Sequence, residues 1–200
     1  MAYGVELRKW LALFVAVIAT PIGTQAKAGM IVNGDFETGD LSGWSATGNV
    51  VPNHTYGSYT ASFNRVDTPP NGVLSQSFST SAGREYELSF DFGVYAGHSQ
   101  TQTLEVEVTG LAKLLSVSVF DSHVVSNSPL TFERYEFRFT ADSPATVLAF
   151  RDSASNYTWS TDGEIDNVQV NPVPEPSTYA MALAGLACGG WQMWRSRRTR

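Results

Sequence analysis

The 200-residue sequence has a single cysteine, Cys188, and only three histidines. One cysteine cannot form an intramolecular disulfide, so the fold must depend on packing and on any ion it binds. The histidines, His54, His98 and His123, lack the spacing of a zinc-protease helix. Since the sequence also lacks a Gly-x-Ser-x-Gly elbow and a phosphate-binding glycine loop, it favours a protein that is not an enzyme.

Basic residues are scarce in the central part of the chain. Between residues 29 and 171, six Lys and Arg stand against seventeen Asp and Glu, which gives a net charge of −11. A domain with this charge repels polyanions, so the composition argues against nucleic acid as a partner. A neutral sugar or a cation is a more suitable ligand than a polyanion for a domain with this charge.

The first 28 residues have the layout of a secretory signal. Two basic residues precede an apolar stretch over 10–19, and Ala26-Lys27-Ala28 offers small residues at the positions that signal peptidase reads. We therefore expect a signal helix within 1–28, its removal by signal peptidase, and a mature chain that begins at Gly29.

Residues 29–171 form the predicted domain, in which apolar and polar residues alternate with the period of half-buried strands. The clearest strand is 85–95, where every second residue is apolar; weaker ones are 73–79, 104–108, 114–120, 135–139, 146–151 and 165–170. Seven or more short strands without helical patterns predict an all-β sandwich. A jelly-roll topology is favoured over an immunoglobulin-like one, because the Cys and Trp core signature is missing.

The C-terminal segment combines a motif, an apolar run and a basic end. Val173-Pro174-Glu175-Pro176 lies in a linker over 172–178, and a predicted transmembrane helix follows over 179–194. This run is short for a span of about 17 to 25 residues, but interfacial aromatics border it. The basic tail, 195–200, is predicted to be cytoplasmic. Its arginines are Arg195, Arg197, Arg198 and Arg200.

This layout resembles the PEP-CTERM sorting signal of bacteria that make extracellular polysaccharide and carry an exosortase. Val173-Pro174-Glu175-Pro176 matches the hallmark of that signal as it stands. The resemblance implies recognition by an exosortase, cleavage near the motif, and passage from the inner membrane to the cell surface or extracellular matrix. The simpler alternative is a plain C-terminal anchor behind a proline-rich linker.

The predicted domain carries a second resemblance. Its opening Ile31-Val32-Asn33-Gly34-Asp35-Phe36-Glu37, the Gly43-Trp44 pair and the closing Ile165-Asp166-Asn167-Val168 are similar to the galactose-binding-like jelly rolls, which include carbohydrate-binding modules. The resemblance covers nearly all of residues 30–170. It implies a jelly-roll fold and a carbohydrate ligand, with Trp44 in the core.

Related modules hold a structural calcium ion where the first and last strands meet. The resemblance places Glu37 beside Asp166 there and implies both as side-chain ligands of Ca²⁺, with Asn33 and Asp35 as further candidates. Hard cations take about six to eight oxygen ligands, which these residue types supply. The alternative is that Asp35, Glu37 and Asp166 cap turns and accept hydrogen bonds from backbone amides.

Aromatic side chains in predicted loops are the candidates for sugar binding, because their faces stack on pyranose rings. Three loops carry them, near residues 54–59, 95–100 and 157–159. The candidates are Tyr56, Tyr59, Tyr95, His98, Tyr157 and Trp159. The alternative is that these rings pack over the ends of the sheets.

These features predict an exported surface or matrix protein whose β-sandwich binds extracellular polysaccharide. The alternative is a structural surface or biofilm protein that has no specific small ligand.

The sorting motif can be tested by replacing Pro174, Glu175 and Pro176 together with alanine. In a host with an exosortase, we expect the altered protein to keep its tail and to stay in the inner membrane. Fractionation and mass spectrometry of the C-terminus measure this. Processing and surface location equal to those of the parent would contradict the sorting role of the motif.

Overall fold

The computed structural model describes residues 30–55, 57–65, 69–97, 99–123, 130–174, 185, 186, 188, 191, 194 and 195. The predicted signal helix and most of the predicted transmembrane helix lie outside these residues. None of the described residues belongs to a helix that is long and apolar enough to cross a bilayer.

The described part of the chain forms ten strands. They are β1 (Ser45–Thr47), β2 (Val50–Thr55), β3 (Ser58–Phe63), β4 (Val73–Ser79), β5 (Glu85–Ala96), β6 (Gln100–Thr109), β7 (Lys113–His123), β8 (Phe132–Thr140), β9 (Ala145–Asp152) and β10 (Thr161–Pro172). The first sheet has the order β1-β4-β9-β6-β7, and the second has the order β2-β3-β10-β5-β8. All pairs are antiparallel, so the predicted all-β sandwich of two sheets is confirmed.

The core lies between the two sheets and follows the predicted alternation. On β5 every second residue from Tyr86 to Val94 is buried, and this strand pairs with both β8 and β10. Phe90 of β5 meets Phe150 of β9 edge to face, with ring centroids 5.1 Å apart. Burying a side chain of this size contributes about 1.5 to 3 kcal/mol, so contacts of this kind hold the sheets together.

The sequence patterns missed β1, β2 and β3. The predicted loop over 54–59 is a hairpin, since β2 ends at Thr55 and β3 begins at Ser58. The residues of β3 do alternate, with Tyr59, Ala61 and Phe63 toward the core. The pattern is weak because the strand has only six residues and its polar Thr60 and Ser62 are at most 1% exposed. Tyr59 therefore lies in a strand, and so does Tyr95, at the end of β5.

Both ends of the domain meet at β10. This strand lies between β3 and β5, and its Val168 N–H donates a 2.7 Å hydrogen bond to the Gly34 carbonyl. A Cβ atom at Gly34 would lie 2.0 Å from the Val168 carbonyl oxygen, so only glycine allows the two backbones to come this close. The turn that precedes β1 is thereby fixed against the last strand.

Candidate functional site

Exposed aromatic side chains gather at one end of the sandwich. Tyr157 and Trp159, in the segment that joins β9 to β10, are 43% and 62% exposed, and Tyr95 is 44% exposed. Gly97 N–H donates to the Ser160 carbonyl at 3.0 Å, which holds the end of β5 against this segment. The structure therefore brings together three of the six predicted sugar-binding residues.

Asn156 fixes this segment to the first sheet. Its Oδ1 accepts the Thr103 N–H at 2.8 Å and its Nδ2 donates to the Thr103 carbonyl at 2.7 Å, so the side chain continues the ladder beyond the end of β9. The Gln102 amide donates to the Tyr157 carbonyl, and Asn64 in turn donates to Gln102 at 3.4 Å. These bonds anchor the backbone on which Tyr157 and Trp159 stand.

A buried carboxylate supports the same segment. Asp152, at the end of β9, accepts a hydrogen bond from Asn156 Nδ2 and is 9% exposed. Burial raises the pKa of Asp152 to about 6. The nearby Glu105 charge acts in the same direction as burial, whereas the hydrogen bonds from Asn156 and Asn64 act in the opposite direction.

The remaining predicted aromatics lie elsewhere. Tyr59 packs against the core and against the His54 ring, with centroids 4.6 Å apart. Measured along β10, the positions of Tyr59 and Tyr95 are about five residues, or about 16 Å, apart. For Tyr59 the structure favours packing over sugar binding, while Tyr56 and His98 lie outside the described residues.

Two residues at this end escaped the sequence analysis. Phe120 of β7 is 65% exposed and pairs in register with Thr103, the residue that Asn156 binds. The sequence analysis placed Phe120 only in the predicted strand 114–120. Its position at the end of this apolar run, next to polar residues, is a weak signal that its side chain is exposed. Asn156 gave no signal, because its role depends on a partner 53 positions away.

A second cluster forms where the chain ends meet. Ser58 Oγ lies 2.8 Å from Glu37 Oε1 and 3.3 Å from Asp166 Oδ2, so the predicted proximity of the two carboxylates is observed. The Tyr59 and Asn167 amides donate to Glu37 and Asp166 respectively. Hydrogen bonds from Ser58 and Tyr59 lower the pKa of Glu37, whereas burial, aided by the charges of Asp91 and Glu37, raises the pKa of Asp166 to about 6.

The Ser58 hydroxyl has one proton for two carboxylates. When it donates to Glu37, its proton is not available to Asp166 Oδ2, and among the described residues neither carboxylate forms a salt bridge. A bound cation would balance the two carboxylates, so Glu37 and Asp166 fit part of a calcium shell. The described residues contain no group of three or more His, Cys, Asp or Glu arranged to hold a metal.

For the two weaker calcium candidates, the structure shows turn contacts. Asn33 Nδ2 donates to the carbonyls of Asp40 and Ser42, at 3.0 and 3.2 Å. Asp35 Oδ1 lies 3.4 Å from the Glu37 amide, across a two-residue turn. The turn-capping alternative is thus favoured for Asp35, while the Asn33 amide holds the loop that precedes β1.

Comparison with known families fits this arrangement. A family model described as Carbohydrate binding domain matches residues 28–151, which is more than half of the chain. The chain belongs to this family. A second model, the PEP-CTERM protein-sorting motif, matches residues 172–198, so both resemblances seen in the sequence are confirmed. No curated protein matches the chain.

Solved structures share the fold. The module TmCBM61, in complex with β-1,4-galactotriose, has a TM-score of 0.53 and 18% identity over 72% of this chain and 99% of its own. The arabinose-bound α-L-arabinofuranosidase MgGH51 has a TM-score of 0.52 and 10% identity, over 72% of this chain and 26% of its own. The K3 adhesin domain of Lys-gingipain from Porphyromonas gingivalis has a TM-score of 0.50 and 15% identity, over 70% and 98%. The domain thus shares its fold with these structures.

Asp152→Asn should change how stability depends on pH. The pKa of Asp152 rises from 3.8 to about 6 on folding, so its contribution to the free energy of unfolding is complete below about pH 4 and is lost as the pH rises through about 6. A shift of about two pKa units corresponds to at most about 3 kcal/mol. Denaturant unfolding of both proteins between about pH 4 and pH 7 should show a smaller fall in stability for the variant.

Asp142→Asn is the matched control with the opposite sign. Hydrogen bonds from the Leu111 and Ala112 amides lower the pKa of Asp142, so its contribution is present above the unfolded pKa and is lost as the pH falls. This variant should lose stability at neutral pH and little at acid pH. The pKa of Asp166 is also raised to about 6, so both proteins keep a fall of the same sign from that group. If stability fell as much in Asp152→Asn as in the wild type, Asp152 would not contribute to the pH dependence.

Proposed function

We propose that this protein is exported and holds a neutral extracellular polysaccharide through the aromatic end of its sandwich, without catalysing a reaction. The observation that carries the proposal is the cluster of Tyr95, Tyr157 and Trp159 at one end of a carbohydrate-binding domain. Exposed aromatic rings on a fixed backbone lose little conformational entropy on binding, which suits stacking on sugar rings.

The outer face of the first sheet adjoins this end and extends the surface. Glu105 of β6 lies opposite Arg151 of β9 and Ser118 of β7, and all three are exposed. Carboxylate, guanidinium and hydroxyl groups can accept from or donate to sugar hydroxyls. We place the continuation of a bound glycan on this face, beyond the rings that grip its first residues.

The export route follows from the sorting motif over 172–198, which implies membrane passage and processing by an exosortase. Removal of the signal over 1–28 by signal peptidase remains our expectation. We propose the cell surface or the extracellular matrix as the final location, since a polysaccharide ligand would be found there.

We further propose that Ca²⁺ bridges Glu37 and Asp166 and so fastens the first turn of the domain to β10. The shared Ser58 hydroxyl supports this, because a cation would replace the missing proton between the carboxylates. The ion would stabilise the fold without contacting the aromatic end.

Sugar binding is tested by removing the rings. We expect Trp159→Ala and Tyr157→Ala each to weaken binding about tenfold, or about 1.4 kcal/mol. Isothermal titration of the exported protein against extracellular polysaccharides measures this. β-1,4-Galactotriose is a suitable short probe, since TmCBM61 was solved with it.

Leu111→Ala is the control, because Leu111 is 85% exposed and lies in the turn at the opposite end of β6. It should bind as the wild type does. Equal affinity of the ring variants and the wild type would place the glycan elsewhere. Absence of binding to every polysaccharide would favour the structural surface or biofilm role.

Calcium should raise the melting temperature of the exported protein. A site that binds only the folded state adds about 2.7 kcal/mol when the ion is at a hundred times its dissociation constant. This free energy corresponds to an increase of several degrees in the melting temperature of a domain of this size. Scanning calorimetry with calcium and with chelator should show the increment in the wild type and its loss in Asp166→Asn and Glu37→Gln.

Asp121→Asn serves as the control for the metal, because Asp121 lies on β7, away from the joined ends. Its calcium increment should equal that of the wild type. An unchanged melting temperature of the wild type after chelation would show that the two carboxylates only accept hydrogen bonds.

A further inference from the structure

The described sandwich has four edge strands, and three of them carry features that hinder pairing with another chain. β1 has only three residues, β2 contains Pro52, and β8 has four charged residues among its nine. Short length, proline and charge are the means by which edge strands avoid pairing. β7 is a long strand without these features at its centre, since residues 114–120 contain neither a charge nor a proline.

The backbone of β7 directs hydrogen-bonding groups away from its own sheet. Phe120 lies opposite Thr103 of β6, but Thr103 uses its N–H and C=O on Asn156, at the other side of β6. Phe120 therefore directs both of its backbone groups to the free edge of β7. Its carbonyl accepts the Tyr135 hydroxyl there at 2.7 Å, which agrees with this orientation.

The same orientation extends along the centre of the edge. An antiparallel strand bonds to its two sides through alternate residues, so Ser116 and Ser118 direct their N–H and C=O to the free edge as Phe120 does. All three residues are exposed, and among the strands that the structure describes β7 pairs only with β6. A row of donors and acceptors of this kind is a template for a further strand.

The residue pattern of β7 favours a second copy of the chain as that strand. In both directions from Val117 the first residue is a serine and the second is apolar. An antiparallel copy centred there would place Ser116 opposite Ser118 and Leu115 opposite Val119, so side chains of like polarity would meet at every position. This strand is its own complement, which a strand selected for a different partner need not be.

The charges at the ends of β7 favour the same arrangement. Lys113 begins the strand and Asp121 lies near its end. An antiparallel copy brings the basic end of each strand to the acidic end of the other, whereas a parallel copy would bring like charges together. Lys113 also contacts Glu107 of its own chain at 3.0 Å, so these charges orient the pair more than they hold it.

We propose that two copies of this protein associate through their β7 edges, about a two-fold axis near Val117, so that their first sheets join into one continuous sheet. A contact made by one strand of each copy is small beside the standard interface of about 1,600 Å², so we expect a dissociation constant of about 0.1 to 1 mM. Such an interface would act where copies are concentrated on a surface. It does not depend on the proposed sugar binding.

The test is sedimentation equilibrium of the exported protein between about 0.01 and 1 mM, without glycan. The wild type should dimerise over this range. Ser118→Pro should weaken dimerisation about tenfold or more, because proline removes an N–H that points to the free edge and that β6 does not use. Ser116→Lys/Ser118→Lys should also weaken it, since lysines of the two copies would lie next to each other.

Ser77→Lys/Ser79→Lys is the matched control. Both serines are exposed on β4, in the same sheet as β7 and with the same spacing. This variant has the same net charge as the β7 lysine variant and should dimerise as the wild type does.

Amide hydrogen exchange reports on the edge itself. The N–H groups of Ser116 and Ser118 should exchange more slowly at about 1 mM than at about 0.01 mM in the wild type and in the β4 variant. A wild type that stays monomeric at about 1 mM would overturn the proposal. So would undiminished dimerisation of either β7 variant, or a dimer that leaves the exchange of these two amides unchanged.

Discussion

The position of β10 constrains the whole structure. It is the last strand in sequence, yet it lies inside the second sheet, between β3 and β5, and its Val168 N–H binds the turn at Gly34. The second sheet is therefore incomplete until both ends of the domain are in place. Pairings between such distant segments are slow to form and are lost together. The same meeting brings Glu37 and Asp166 to the Ser58 hydroxyl, so the carboxylate pair depends on this strand.

The sequence predicted the strands whose two faces differ in polarity. On β5 and along Leu104, Val106 and Val108 of β6, apolar residues face the core and the residues between them lie on the other face, and period-two alternation is sufficient to find these strands. It is a weak signal for β3, whose six residues alternate but whose Thr60 and Ser62 are also buried, on the outer side of the second sheet. Their burial follows from contacts with distant partners: Thr60 donates to Glu164, which β10 supplies. The burial of this polar face therefore has no local signal in the sequence.

The candidate sites were predictable to different degrees. Glu37 and Asp166 stand in end motifs that resemble a known fold, and their proximity follows from its topology. Tyr157 and Trp159 were found because exposed loops favour polar residues and make large aromatics conspicuous. The hydrogen bonds that hold the backbone of Tyr157 and Trp159 in place were not predictable. Those of Asn156 to Thr103 and of Gln102 to Tyr157 join residues about fifty positions apart.

The junction between the domain and the sorting motif is short. β10 ends at Pro172, and Val173, the first residue of the motif, still donates its N–H to the Glu85 carbonyl at 2.9 Å. An enzyme that reads the motif must therefore work close to the folded domain. Releasing Val173 would cost one backbone hydrogen bond at the end of a strand, about 0.5 to 1.5 kcal/mol. That is small against the free energy that holds the sandwich together, so the motif can be exposed without unfolding β10, and sorting need not compete with the folding of the sugar-binding domain.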